Sequence, residues 1–219
     1  MSSSISPAST LIVRQLGRRD YLSVWEAMKA FTAEREAAAT DEVWVVEHPP
    51  VFTQGLNGKE ENILNPGDIP VVQVDRGGQV TYHGPGQLVL YVLIDLGRRR
   101  LGVKDLVRHL EDAVIDSLAE YRILAGRREG APGVYVDDAK IAALGLRVKR
   151  GYSYHGLSFN IDMDLTPFAR IHPCGLKGIT VTQLRDLGVQ SDIDREMRRL
   201  VTQLGRLLNY SDTQIATAT

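Results

Sequence analysis

Apolar residues recur at helical spacing in three segments of the chain. Behind Asp20, the residues Val24, Trp25, Met28 and Phe31 fall on one face, which predicts a helix capped by Asp20. Leu106, Val107, Leu110, Val114 and Leu118 mark a longer amphipathic helix over 103–121. A third helix begins near Ser191, with Asp194 in a capping-box position and Ile193, Met197, Leu200, Val201, Leu204 and Leu208 on its apolar face. Elsewhere the pattern turns β-branched and aromatic, predicting strands at 43–48, 70–75, 87–95, 133–136, 139–149 and 153–163. Asp137-Asp138 and Arg150-Gly151 separate the last three as tight turns, so adjacent hairpins and a substantially antiparallel sheet are expected.

Strand runs interspersed with only three long helices fit an α+β fold, a mixed, largely antiparallel sheet with flanking helices, better than a regular βαβ alternation. The patterned region, about 11–208, is long enough for one domain with a real core and carries no internal repeat. The Ser-rich segment 1–10 and the unpatterned segment 209–219 are expected to be flexible tails.

Charge narrows the range of partners. With 26 Lys plus Arg against 27 Asp plus Glu, the net charge of −1 offers no field to hold a polyanion, so neither nucleic acid nor an anionic membrane is expected as principal partner. The longest apolar run, 88–94, is seven residues, whereas a membrane-spanning helix needs about 20. No basic segment precedes a long apolar stretch at the N-terminus, and a cytoplasmic location is expected. Cys174 is the only cysteine, which excludes an internal disulfide and any site built on two thiolates.

Two segments carry candidate chemistry. Arg76, Gly77, Gly78, Gln79, Val80, Thr81, Tyr82 and His83 run into Gly84-Pro85-Gly86, where glycines allow close approach to the backbone and the polar side chains supply donors at the rim. The segment reads either as a wall against a substrate or as a glycine-rich hairpin; no Gly-Lys-Ser/Thr follows to make it a phosphate loop. In His172-Pro173-Cys174-Gly175, proline favours an extended residue before it and glycine relieves crowding beside the thiol. Cys174 is then a nucleophile at a loop apex or a small buried hydrophobe. As a nucleophile it needs a nearby cation or base, for which His172, Lys177 and Lys140 are the options.

RGGQVTYHGPGQLVLYVLIDL at 76–96, GVYVDDAKIAALGLRV at 133–148, YHGLSFNIDMDL at 154–165 and HPCGLKGITVTQL at 172–184, with EHPPVFTQG upstream at 47–55, together resemble the lipoyl(octanoyl) transferase family of lipoate biosynthesis. This resemblance implies the α+β fold of biotin and lipoate protein ligases. It implies transfer of an octanoyl group from octanoyl-acyl carrier protein to a specific lysine of the lipoyl domains of lipoate-dependent enzymes, the glycine cleavage H protein among them. By the same resemblance Cys174 carries the acyl group as a thioester and Lys140 lowers its pKa. The acyl pocket is then lined by Arg76 through His83, by Ala143, Leu144 and Gly145, and by Gly156, Leu157 and Ser158, with no cofactor and no metal. Three rival readings remain in view. A lipoate or biotin ligase would activate a free acid with ATP and need no thiol; a cysteine hydrolase would pair Cys174 with His172 or His83; a non-catalytic binding protein would dock an acidic partner on Arg98-Arg99-Arg100. Arg127-Arg128 and Arg147, Lys149 and Arg150 are further basic clusters for such docking.

Overall fold

In the computed structural model, which describes residues 10–173 and 178–217, the chain begins with a strand, β1 (Thr10–Arg18). Leu11 and Val13 point inward, and Arg14 turns outward to donate to both carboxylate oxygens of Glu42 at 2.6 Å. Helix α1 (Tyr21–Glu34) follows, capped by the Asp20 carboxylate, which accepts from the Ser23 N–H. Strands β2 (Asp41–Glu47), β3 (Val51–Gln54), β4 (Val71–Gln73), β5 (Val80–His83) and β6 (Gln87–Leu93) come next. A single turn, α2 (Leu96–Arg99), leads into α3 (Val103–Ala119). Then come β7 (Ala125–Gly126), β8 (Gly133–Val136), β9 (Ala139–Lys149) and β10 (Tyr152–Asn160). The last elements are β11 (Thr180–Val181), α4 (Ile193–Leu207) and β12 (Asp212–Thr217).

Among the described residues these strands form one nine-stranded sheet, ordered β12-β1-β2-β6-β10-β9-β8-β7 with β11 beside β9, and a three-stranded sheet, β4-β3-β5. Within the large sheet β1 runs parallel to β12 and β2, and β11 parallel to β9; the other pairs are antiparallel. The expected α+β architecture is therefore the observed one. Both hairpin turns fall where the sequence places them, and Arg150 and Gly151, both at positive φ, form the turn whose twist suits a two-residue hairpin.

The unbroken apolar run of β6 has a simple cause: both faces of the sheet are covered. Leu88, Leu90 and Val92 face α3 and α4, packing against Leu110, Val114, Leu200 and Leu204. Val89, Tyr91 and Leu93 face α1, against Tyr21, Val24 and Met28. A third cluster, with Phe52, Tyr82 and Phe168, lies under the small sheet. No helix among the described residues is long and apolar enough to cross a membrane.

Several expectations need correction. Residues 212–217, taken from the sequence as part of a flexible tail, form β12 and pair with β1 from Thr10↔Asp212 to Gln15↔Thr217. Main-chain hydrogen bonds hold such a strand, so it leaves no apolar alternation to read. Helix α4 starts two residues later than Ser191: the Asp192 carboxylate caps it by accepting from the Arg195 N–H, and Ser191 binds Glu196 instead. The strand expected over 153–163 ends at Asn160, because the N–H groups of Ile161 and Asp162 turn to the Gly86 carbonyl. Residues 1–9 lie outside the described residues.

Candidate active site

The segment that carries the glycines is laid across the middle of the large sheet on its α1 side. Arg76 Nη2 donates to the carbonyl and hydroxyl oxygens of Thr53 at 2.6 and 2.8 Å, and the Gly77 N–H donates to the Leu146 carbonyl at 2.9 Å, tying the loop to β3 and β9. Beneath it, β10 can lie against β6 only because residue 156 is glycine: a Cβ there would stand 1.9 Å from the Leu90 carbonyl oxygen. Between loop and sheet is a narrow, partly open cleft.

One wall is made by Arg76, Gly78, Gln79, Val80, Thr81 and His83, and the other by Ala143, Leu144, Gly145, Gly156, Leu157 and Ser158. Of the residues singled out in the sequence, Gly77 and Tyr82 do not line it. Gly77 faces an outer groove with Asn57, Pro132 and Leu146. Tyr82 alternates away from Thr81 and His83 on β5 and packs on Phe52 and Phe168. Tyr21, Val89, Tyr91 and His155, which sequence reasoning missed, complete the lining.

A chain of hydrogen bonds runs behind the polar end of the cleft, and two histidines in it are uncharged. Thr53 Oγ1 accepts from Arg76 and donates to His83 Nε2 at 3.3 Å; His83 Nδ1 donates to Gln87 Oε1 at 2.7 Å. Gln87 Nε2 donates to Asn160 Oδ1, whose amide donates in turn to the Thr182 carbonyl. Behind His83, the His48 Nδ1–H donates to the Arg19 carbonyl, so its Nε2 accepts from the Tyr91 hydroxyl at 2.7 Å. Burial pushes His83 down to about 3, with His48 adding to the effect, and burial pushes His48 down to about 4. Both are neutral near pH 7.

His155 occupies a left-handed backbone position at φ +60, and its Nε2 donates to Asp75 Oδ1 at 2.9 Å. Burial alone would raise Asp75, but bonds from His155, Tyr154 and Trp25 hold its carboxyl below the ordinary carboxylate range. Burial also lowers His155, whose Nδ1 has no hydrogen-bond partner among the described residues.

These neutral histidines make stability pH-dependent with a definite sign. In the unfolded chain they take up protons from the ordinary histidine value of 6.5 downward, whereas in the folded chain His48 and His83 wait until about 4 and 3. The unfolded state therefore binds more protons below 6.5, and stability present above that pH is lost as the pH falls toward the folded values. Between pH 7 and pH 5 each is expected to cost about 2 kcal/mol, before Asp75 begins to titrate. Urea midpoints measured at both pH values should fall accordingly, and His83→Gln should flatten the fall; pH-independent midpoints would overturn the assignment.

Lys140 owes its side of the sheet to a bulge. Val134 stands opposite Ala142 and Tyr135 opposite Lys140, so Ile141 is an extra residue on β9. Ile141 and Ala142 both pack into the core under α3 and α4, together with Val134 and Val136. Lys140 is thereby turned to the opposite face with Tyr135, the face of Ala143 and the cleft. It is 3% exposed; its Nζ donates to the Pro132 carbonyl at 3.0 Å and lies 5.1 Å from the centre of the Tyr135 ring. Cys174 and Lys177 lie outside the described residues. The chain is described again from Gly178, and Val181 of β11 pairs beside Lys140.

The basic clusters are largely engaged within the molecule. Arg98 and Arg99 turn onto the buried Asp41, which also binds Arg35. Arg127 and Arg128 pair with Glu111, Asp112 and Asp138, and Arg150 donates to the Thr32 and Ala33 carbonyls.

Residues 20–205 match the lipoyl protein ligase A/B catalytic domain. The octanoyltransferase of Thiobacillus denitrificans (strain ATCC 25259 / T1) is 58% identical over 204 residues, 93% of this chain and 94% of that protein. The chain belongs to the octanoyltransferase family. A second member, from Shewanella sp. (strain MR-7), is 55% identical over 202 residues, covering 92% and 93% of the two chains. The family's fold extends to proteins of much lower identity. A bipartite lipoate protein ligase from Thermoplasma acidophilum superposes with a TM-score of 0.76 at 17% identity, over 98% of this chain and 88% of that one. The biotin protein ligase of Aquifex aeolicus superposes at 0.58 and 11% identity, over 92% and 70%.

Proposed function

We propose that this acyltransferase moves an octanoyl group from octanoyl-acyl carrier protein to a lysine of lipoyl domains, including that of the glycine cleavage H protein, through a thioester on Cys174. The observation that carries this reading is the placement of Lys140. A buried ammonium is turned by the bulge to the cleft face of β9, and the strand that follows the Cys174 segment pairs beside it. An ammonium in that position stabilises a nearby thiolate.

Two half-reactions follow. The Cys174 thiolate attacks the thioester carbonyl carbon, the bond to the carrier sulfur breaks, and the carrier thiolate takes a proton from the Lys140 ammonium. The acceptor lysine, as a neutral amine, then attacks the acyl-enzyme carbonyl. The amide forms, Cys174 leaves as thiolate, and the amine's proton passes to the now neutral Lys140, restoring the starting ion pair. The walls of the cleft suit the cargo: at ≈ 0.8 kcal/mol per buried methylene, an eight-carbon chain gains roughly 5 kcal/mol. Neutral His83 and His48 keep the polar end from opposing that transfer.

Exchange of one thioester for another is nearly isoenergetic and the amide product is more stable, so the donor supplies all the activation. Transfer from octanoyl carrier to a lipoyl domain is therefore expected without ATP and in the presence of a chelator, followed by intact-mass measurement of the acceptor. Comparable turnover from free octanoate only when ATP and magnesium are added would replace this reading with that of an adenylating ligase.

A further inference from the structure

The peptide that joins Pro132 to Gly133 is held from both ends by charged side chains. Its carbonyl oxygen accepts from Lys140 Nζ at 3.0 Å, and its N–H donates to Glu111 Oε1 at 3.0 Å. Glu111 reaches it from the middle of α3, where it is 6% exposed among Leu110, Ala113 and Val114, and its second oxygen accepts from Arg127 Nε at 2.7 Å. In a planar trans peptide the C=O and N–H point in opposite directions, so the two bonds form one line: carboxylate, N–H, C=O, ammonium. The peptide dipole lies with its negative end at Lys140 and its positive end at Glu111. Any rotation of that peptide that breaks its bond to the lysine also takes the Gly133 N–H from one oxygen of a buried carboxylate.

The backbone around this line is closely fitted. Gly133 sits at φ +141, and a Cβ there would come within 2.7 Å of the Ala142 carbonyl oxygen and 3.2 Å of Lys140 Nζ. A carboxylate buried on an otherwise apolar helix face is costly unless bonded, and a plug for that space would be served better by an apolar residue. Glu111 spends both of its oxygens on the Gly133 N–H and on Arg127, neither of which lies in the cleft.

We propose that Glu111 is a positioning residue for Lys140, acting through the Pro132–Gly133 peptide to hold the ammonium on the cleft face. The assignment rests on Lys140 being the activating partner of Cys174. Glu111 touches no reacting atom. Its carboxylate fixes the plane and polarises the carbonyl that Lys140 donates to, so the lysine returns to one position after each proton transfer.

The test compares Glu111→Gln, Lys140→Ala and the double variant in the full chain. Three quantities are read: the pH midpoint of Cys174 alkylation by iodoacetamide, kcat and KM for acyl loading from octanoyl carrier, and thermal unfolding as a control for folding. Glu111→Gln, which keeps an acceptor but not the charge, should move the alkylation midpoint upward in the direction of Lys140→Ala. It should lower kcat for loading by about tenfold, the change that one unit in thiolate midpoint represents, with KM for the carrier unchanged. Added to Lys140→Ala it should change nothing further, because its effect passes through the lysine. Should Glu111→Gln fail to fold, Glu111→Asp, one methylene too short to reach the Gly133 N–H, carries the same expectation. A folded Glu111 variant with unchanged midpoint and loading, or additive losses in the double variant, overturns the assignment while leaving Lys140 in place. An unchanged midpoint in Lys140→Ala itself overturns the dyad, and the role of Glu111 with it.

Discussion

Cys174→Ser is expected to accumulate no octanoyl-enzyme that hydroxylamine releases, and to transfer octanoyl groups at least about a thousandfold more slowly than the unaltered enzyme. The reason is the acidity of the nucleophile. A thiol beside an ammonium is substantially thiolate at neutral pH, whereas a serine hydroxyl in the same place stays protonated, and Lys140 has no means to ionise it. Any ester that did form would also be a poorer donor to an amine than a thioester. Intact-mass measurement after mixing with octanoyl carrier in the absence of acceptor separates the two proteins directly. Full transfer activity in Cys174→Ser would sink the covalent relay and favour direct attack of the acceptor on the carrier thioester.

Lys140→Ala is expected to raise the pH midpoint of Cys174 alkylation and to slow both acyl loading and transfer by about a hundredfold, the lower end of what a positioned acid–base group contributes. Lys140→Arg should pull the two half-reactions apart. A guanidinium still favours the thiolate but cannot release or accept a proton near neutral pH, so loading should survive better than transfer. Single-turnover measurements of each half-reaction make the comparison. Equal losses in both, with the alkylation midpoint kept, would mean that the arginine has merely failed to fit the space beside Pro132 and Gly133. Normal rates in Lys140→Ala would move attention to His172, or to His83 despite its neutrality.

What could be read in the sequence, and what could not, divides along a physical line. Strands β8 and β9 were legible residue by residue because Asp137-Asp138 and Arg150-Gly151 punctuate them. Helices α1, α3 and α4 were legible because each buries one face, and their ends missed only where a cap or a turn decides the boundary. Strand β1 was obscured by Arg14, which interrupts the short apolar run Leu11-Ile12-Val13, although in a strand a charged residue next to an inward-facing position is simply the outward one. Strands β3 and β5 are four residues each, too short for a period-2 signal to rise above their glycine-rich surroundings. The cleft was half legible for a related reason. Motif residues on β5, β9 and β10 could be gathered from their local chemistry, but Tyr21, Val89, Tyr91 and His155 reach it from the faces of α1, β6 and β10, which only the three-dimensional arrangement brings together. Likewise nothing in the spacing of Glu111, 29 residues ahead of Lys140, announces that one peptide lies between them.

The bulge at Ile141 has a consequence for how the chain tolerates change in length. Substitutions at Lys140 alter what the side chain can do, but one residue inserted into β8 between Val134 and Tyr135 would leave every functional side chain in the protein intact while moving one of them through the sheet. With Ile141 thus given a partner, β8 and β9 would pair in regular alternation, and the lysine would share the face of Ala142 toward α3 and α4 instead of the cleft. Across distant homologues, then, the presence of a lysine in this strand is an insufficient criterion for the chemistry. Its spacing from the alanine of the cleft wall must be read together with the length of the facing strand β8, because it is the unmatched residue between them that selects the side of the sheet.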